Sequence, residues 1–434
     1  MRRARIATLA TATLVAAGVA VSSATAHAAT TSRIPAHVFA PYFEAYNGDS
    51  LSGLSSQSGD KFLTLAFVQT PSPGSCTVYF NGDTSMPIAS GTFGSDIAAI
   101  RAAGGDVIPS FGGYAADNGG TEIADSCTNV DSIAAQLEKV VTTYDVTRID
   151  LDIEDNSLTN TAGIDRRNKA IKKVEDWAAA NGRLVEFSYT LPTTTSGLAD
   201  SGLAVLRNAV SNGARIDIVN MMTFDYYDNA AHNMATDTQT SANGLVNQLR
   251  SLYPSKTTAQ LWQMVGITEM IGVDDFGPAE TFTLANAQTV TDWAKAQGIR
   301  SLSFWALQRD NGGCPGGAAA DNCSGVAQST WQFSHIMQSF TAGGGTTTPP
   351  TTKPTTAPTT TPPTTTPPTT TPPTTSPTTP PTTTPPGTTT WAPYTAYTAG
   401  QIVTYNGKRY QCRQSHTSLP GWEPPNVLAL WLPL

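Results

Sequence analysis

Between residues 37 and 305 this chain alternates short apolar segments with amphipathic stretches, and that alternation limits its fold more than any other feature. The predicted strands are His37–Tyr42, Phe62–Val68, Asp106–Phe111, Arg148–Glu154, Leu184–Thr190, Ile216–Asp225, Gln263–Met270 and Ser301–Trp305. Helical periodicity is predicted between them, at Ser132–Val141, Asp165–Ala179, Leu203–Val210 and Ala285–Ala296. Strands alternating with helices imply parallel βαβ units. Eight such units predict an α/β fold closed into a (β/α)8 TIM barrel. A doubly wound open sheet competes with this reading, but no Gly-rich phosphate fingerprint follows the first strand.

The fourth predicted strand carries acids at alternate positions, Asp150-Leu151-Asp152-Ile153-Glu154. Successive side chains of a strand point to opposite faces. Asp150, Asp152 and Glu154 therefore share one face, while Ile149, Leu151 and Ile153 share the other. Three crowded carboxylates repel one another, which raises the pKa of at least one of them. A carboxyl that stays protonated near neutrality can donate a proton to a glycosidic oxygen. A solvated acidic edge is the competing explanation, and the Ile-Leu-Ile face argues against it.

Barrel active sites gather at the C-terminal ends of the strands. The distinctive residues fall there: Ser110-Phe111-Gly112-Gly113 after the third strand, Glu154 after the fourth, Met222-Thr223-Phe224-Asp225-Tyr226 after the sixth, and Trp305 on the eighth. Each alone has an ordinary structural explanation as a turn or a core residue. Together they mark one rim.

Met1-Arg2-Arg3-Ala4-Arg5, an apolar run to Val21 and Ala26-His27-Ala28 read as a secretory signal over residues 1–28. An exported protein without a membrane span is expected. Removing the segment takes away three Arg and no acid, which moves the formal charge from −8 to −11. That balance disfavours nucleic acid and anionic membranes as partners. Export also favours disulfides. Cys314 and Cys323 enclose a short loop and are the natural pair, Cys76 with Cys127 is the next choice, and Cys412 is left over. No zinc-ligand spacing occurs, so neither metal nor cofactor is expected.

Residues 343–390 are almost wholly Thr and Pro. They are predicted to form a disordered, polyproline-like spacer, reaching on the order of 140 Å if fully extended. The spacer separates a catalytic body, residues 32–342, from a small all-β tail, residues 391–434.

The motifs of the body resemble those of glycoside hydrolase family 18, the chitinases. Ser110-Phe111-Gly112-Gly113 matches the family's Ser-x-Gly-Gly strand, and Asp150, Asp152 and Glu154 match the last three acids of its Asp-x-x-Asp-x-Asp-x-Glu strand. Thr147 stands where the family has its first acid, and Phe224 where its Met-x-Tyr-Asp segment has Tyr. The resemblance implies a retaining, substrate-assisted hydrolysis of chitin, endo-acting, by a monomer. Glu154 would protonate the bridging oxygen, Asp152 would orient the substrate's N-acetyl group, and Asp150 would support Asp152 as a hydrogen-bonded pair sharing a proton. Ser110, Gly112, Gly113, Met222, Phe224 and Asp225 would surround the sugar, with Tyr226 or Tyr227 reaching it and Trp305 beneath it. Tyr42, Phe43 and Tyr46 either extend the cleft or pack at the barrel top. An endo-β-N-acetylglucosaminidase acting on glycans and a non-catalytic chitin-binding lectin share this barrel, and lectins of this type lose the proton-donating Glu.

The tail is rich in aromatics, and Tyr405-Asn406-Gly407-Lys408-Arg409-Tyr410 reads as a hairpin turning at Asn-Gly. Its pattern resembles the carbohydrate-binding modules of families 5 and 12. Trp422 is the residue expected to stack on chitin, with His416, Thr417 and Pro424 as weaker neighbours. Tyr410 and Trp431 are expected in the core.

Overall fold

The computed structural model describes residues 31–228, 230–342, 389–392, 395–398, 400–413, 416–418, 423–425 and 430–434. The predicted signal segment, nearly all of the Thr/Pro run and Trp422 lie outside the described residues. The chain divides into two compact units, Met1–Thr346 and Thr347–Leu434.

The first unit is a closed parallel barrel. Its strands are β1 (Val38–Phe39), β2 (Tyr42–Glu44), β3 (Phe62–Gln69), β4 (Asp106–Gly112), β5 (Arg148–Asp152), β6 (Glu186–Thr194), β7 (Ile218–Met222), β8 (Val265–Met270) and β9 (Ser301–Trp305). They pair in the order β1-β9-β8-β7-β6-β5-β4-β3-β2. β1 and β2 are halves of one barrel strand, interrupted at Ala40-Pro41, because proline has no N–H to give a ladder. The first half pairs with β9 and the second with β3. Across the interruption Ala40 N donates to Leu302 O (2.9 Å) and Thr64 N to Pro41 O (2.9 Å), which completes the circle.

Outward side chains such as Ile149, Leu151, Phe187, Val219, Met221, Ile267 and Phe304 form one apolar core with the helices. Each side chain fully buried there contributes about 1.5–3 kcal/mol. The helix Val130–Tyr144 shows how the sequence builds that layer. Asn129 caps it by accepting from Ser132 N, and Ile133, Leu137, Val140, Val141 and Tyr144 are buried at helical spacing. The predicted helices are all present, each a few residues longer than its periodic core: Val130–Tyr144, Thr161–Ala180, Asp200–Ser211 and Leu284–Gln297.

Two predicted strands end earlier at the rim than their apolar patterns suggest: the fourth stops at Asp152 rather than Glu154, and the sixth at Met222 rather than Asp225, while the first is split and runs on to Glu44. At the fourth and sixth the chain leaves the ladder, through left-handed Asp155 (φ 35°) and Asp225 (φ 53°). Both expected disulfides are present, Cys76–Cys127 and Cys314–Cys323, and Cys412 is buried outside them.

The second unit is a small all-β module. Thr389–Thr390, Ile402–Tyr405, Lys408–Cys412 and Trp431–Pro433 form one sheet, and Ala396–Tyr397 pairs with His416–Thr417. Its first strand thus lies just ahead of residue 391, where the tail was expected to begin. The Asn406-Gly407 turn has both residues at positive φ, 47° and 77°, as a two-residue hairpin requires. Trp391, Tyr397, Val403, Tyr410, Cys412, Leu430 and Trp431 make the core. Pro424 is buried, which removes it from any exposed sugar-stacking face.

Candidate active site

Inside the barrel the inward side chains are mostly polar, and they converge on Asp150. Its Oδ2 accepts hydrogen bonds from Tyr42 Oη (2.9 Å) and Ser110 Oγ (2.7 Å), and its Oδ1 accepts from Thr190 Oγ1 (2.6 Å). Asn220 Nδ2 extends the network by donating to Thr190 Oγ1 (2.9 Å) and Thr268 Oγ1 (2.6 Å). Burial raises the Asp150 pKa and the hydroxyls oppose that rise. Of the two readings left open for Tyr42, cleft aromatic or barrel-top packing, the structure shows the buried one, with the hydroxyl donating to Asp150. Phe43 points outward into the helix-side core. Only Tyr46 of the three is exposed, at 45%.

One pleat further on, Asp152 is buried and its Oδ1 has no hydrogen-bond partner among the described residues. Burial first, then the charges of Glu154, Asp150 and Asp117, push its pKa well above the usual carboxylate range. Among the described residues no hydrogen bond joins Asp150 to Asp152, because hydroxyls already occupy both Asp150 oxygens. The direct hydrogen bond of the expected pair is thus not seen among the described residues, and the charge of Asp150 raises the Asp152 pKa.

Ile153 N donates to Thr190 O (3.0 Å), the last bond of this strand's ladder. Glu154 stays extended (φ −131°, ψ 178°), so its side chain keeps to the Asp152 side although the strand has ended. It is half-buried. Burial raises its pKa to about 7, opposed by the Tyr114 backbone amide and aided by Asp155 and Asp275. At neutral pH this carboxyl is about half protonated, as a proton donor requires.

Gly112 and Gly113 explain the Gly-Gly pair. Both have positive φ, 100° and 83°. A Cβ on Gly112 would lie 2.0 Å from Asp152 O, and one on Gly113 would lie 2.6 Å from the Phe67 ring. Only glycine lets the third strand's end approach both the acidic row and the aromatic floor. In that floor Trp305 stacks on Phe67 with centroids 5.5 Å apart and planes 9° apart, and Tyr42 lies 5.8 Å from Trp305. Phe67 carried no distinguishing mark in an apolar strand, and only the fold reveals its part.

Met222 is buried on the inward side at the end of β7. Phe224 is half-buried against the helix-side core. Asp225 accepts from Phe276 N (3.1 Å) and its own N–H donates to Asp274 Oδ2 (3.1 Å). Burial and the charges of Asp274 and Asp275 raise its pKa well above the usual range. Tyr226 turns aside: its ring lies 5.1 Å from His232, and its hydroxyl is buried. Tyr227 is the exposed tyrosine of this loop, at 39%, with its ring 5.4 Å from Phe276. Of the two tyrosines left open by the sequence, Tyr227 is the one presented to solvent.

Residues 38–281 match glycosyl hydrolases family 18, more than half of the chain. The chain belongs to that family. A second match, residues 390–432, is to carbohydrate-binding module family 5/12. A probable bifunctional chitinase/lysozyme of Escherichia coli is 33% identical over 321 residues, covering 71% of this chain and 35% of that protein. The chain thus matches about a third of that relative's length. The catalytic domain of a hyperthermophilic chitinase from Pyrococcus furiosus superposes with a TM-score of 0.63 at 32% identity, covering 73% of this chain and 98% of that one. Over 43 residues, the tail is 70% identical to part of chitinase A1 of Niallia circulans, covering 10% of this chain and 6% of that protein. This family 18 barrel therefore presents Glu154, Asp152 and the Trp305 floor on the rim named from the sequence. The placement of His416 and Thr417 is limited to their strand, and the side chains of both, like Trp422, lie outside what is described.

Proposed function

We propose that this family 18 protein hydrolyses the β-1,4 bonds of chitin, with retention and with the substrate's own N-acetyl group as nucleophile. The observation that carries this reading is Glu154, its pKa raised by burial to about 7, beside Asp152, whose buried Oδ1 has no hydrogen-bond partner among the described residues. Glu154 donates its proton to the bridging oxygen as the C1–O bond breaks. The N-acetyl carbonyl oxygen bonds to C1, and Asp152 accepts a hydrogen bond from the acetamido N–H as positive charge develops there. Water then attacks C1 as the bond from C1 to the N-acetyl oxygen breaks, which restores the acetamido group, and the water gives a proton back to Glu154. Trp305, stacked on Phe67, offers an aromatic face beneath the ring, and Tyr114, 61% exposed, stands beside the acid. Hydrolysis of N-acetylglucosamine oligomers is the test: the first product should be the β-anomer, and an α-anomer would overturn the mechanism.

The family 5/12 tail supports insoluble polymer as the substrate, with the Thr/Pro segment as a tether. Two disulfides and the N-terminal pattern support secretion. Removing residues 391–434 should weaken action on crystalline chitin by about tenfold or more while leaving soluble oligomers within about twofold, since the tether only raises effective concentration. Equal losses on both substrates would exclude a targeting role.

A further inference from the structure

Glu154 lies just past the end of its strand, so the sheet does not hold its backbone. Its N–H instead donates to Oδ2 of Asp117, on the short helix Tyr114–Gly119. Asp117 is 1% exposed, and its Oδ1 has no hydrogen-bond partner among the described residues. A buried carboxyl group used for one backbone bond is costly to desolvate, and such costs collect where function needs them.

The segment after the acid is held the same way at further points. Asp125 accepts from Ser157 Oγ and from Asn160 Nδ2 (2.8 Å), and Asn156 Nδ2 donates to Asn118 Oδ1 (3.2 Å). Behind these acids is a buried ion pair, Arg167 Nη2 to Glu122 Oε2 at 2.9 Å. Glu122 also accepts from Ala124 N (2.8 Å) and Asp125 N (3.0 Å), which fixes the turn bearing Asp125. Cys127, two residues on, is tied to Cys76. Residues 117–125 thus form a brace along residues 154–160, and Asp117 is its contact with the acid itself.

We propose that Asp117 is a positioning residue, whose carboxyl oxygen fixes the backbone of the catalytic acid by accepting the Glu154 N–H. The proposal rests on Glu154 being the proton donor. Displacing a catalytic group by about 1 Å can cost on the order of 10²-fold in rate. A misplaced acid matters most when the leaving group is a poor one. A sugar hydroxyl must be protonated as it departs, whereas a nitrophenolate leaves without help.

The test compares kcat and KM of the full chain on a chito-oligosaccharide and on a nitrophenyl chitobioside. Asp117→Ala is expected to lose on the order of 10²-fold in kcat on the oligosaccharide, less than about fivefold on the nitrophenyl substrate, and to keep KM within about threefold. Asp117→Asn keeps an oxygen that accepts the same N–H, and should recover at least about tenfold of the oligosaccharide loss. Equal losses on both substrates, or an Asn variant no better than Ala, would overturn the proposal. Thermal melting checks folding, and should Ala fail to fold, Asp117→Ser supplies the same comparison with a hydroxyl too short to reach the amide. Glu154→Gln serves as the reference. If it shows no dependence on the leaving group, the assignment of the acid itself fails, independently of Asp117.

Discussion

Glu154→Gln is expected to lower chitin hydrolysis by about 10³- to 10⁴-fold, at the upper end of what a general acid contributes, while chitin binding persists. The amide keeps the shape of the side chain and removes only the proton it gives. A mutant turning over at the parent rate, measured by reducing-end release, would remove Glu154 from the chemistry. The pH profile supplies a second check. Burial places the Glu154 pKa at about 7, so the protonated form needed for bond cleavage is lost as pH rises through that value. Rates should fall about tenfold for each pH unit above it. In the Gln variant the residual rate should lose that limb.

Asp152→Ala is the other large effect. This side chain is buried, has no hydrogen-bond partner at Oδ1 among the described residues, and is raised in pKa by burial and by Glu154, Asp150 and Asp117. It is thus poised to receive an N–H that only the substrate brings. Removing it should cost on the order of 10²- to 10³-fold in kcat, the usual scale for one preorganised group facing developing charge. The loss should appear in kcat more than in KM, because the acetamido charge grows toward the transition state. A variant that changed only KM would make Asp152 a binding residue.

The barrel was legible because apolar alternation repeats eight times, and outward burial is what that alternation encodes. The acidic row was legible because a strand's period of two puts every second residue on one side. The part played by Tyr42 stayed open in the sequence because an aromatic at a strand's end suits the rim or the packing beneath it equally. In the fold the strand resumes at Tyr42 after the interruption at Pro41, and the Tyr42 hydroxyl turns inward to Asp150. Phe67 and Asp117 left no readable trace. Phe67 stands in an apolar run like any core residue, and the link from Asp117 to Glu154 spans 37 residues, across two different loops. Tyr226 and Tyr227 were inseparable in sequence. The left-handed turn at Asp225 decides which of them faces solvent.

The split first strand also bears on when the site can come into existence. Ser303 Oγ donates to Ala40 O across 263 residues of chain (2.7 Å), and β1 has no sheet partner other than β9. Until the last strand is available, the first presents unpaired edges on both sides of the gap, and the Trp305 floor is absent. A chain emerging from the ribosome N-terminus first therefore remains open almost to the end of the barrel. Pairings this distant along the chain close slowly, and the exposed edges are the kind that attract other chains. The floor of the site therefore waits for the last barrel strand, Ser301–Trp305, and until then the open edges favour aggregation.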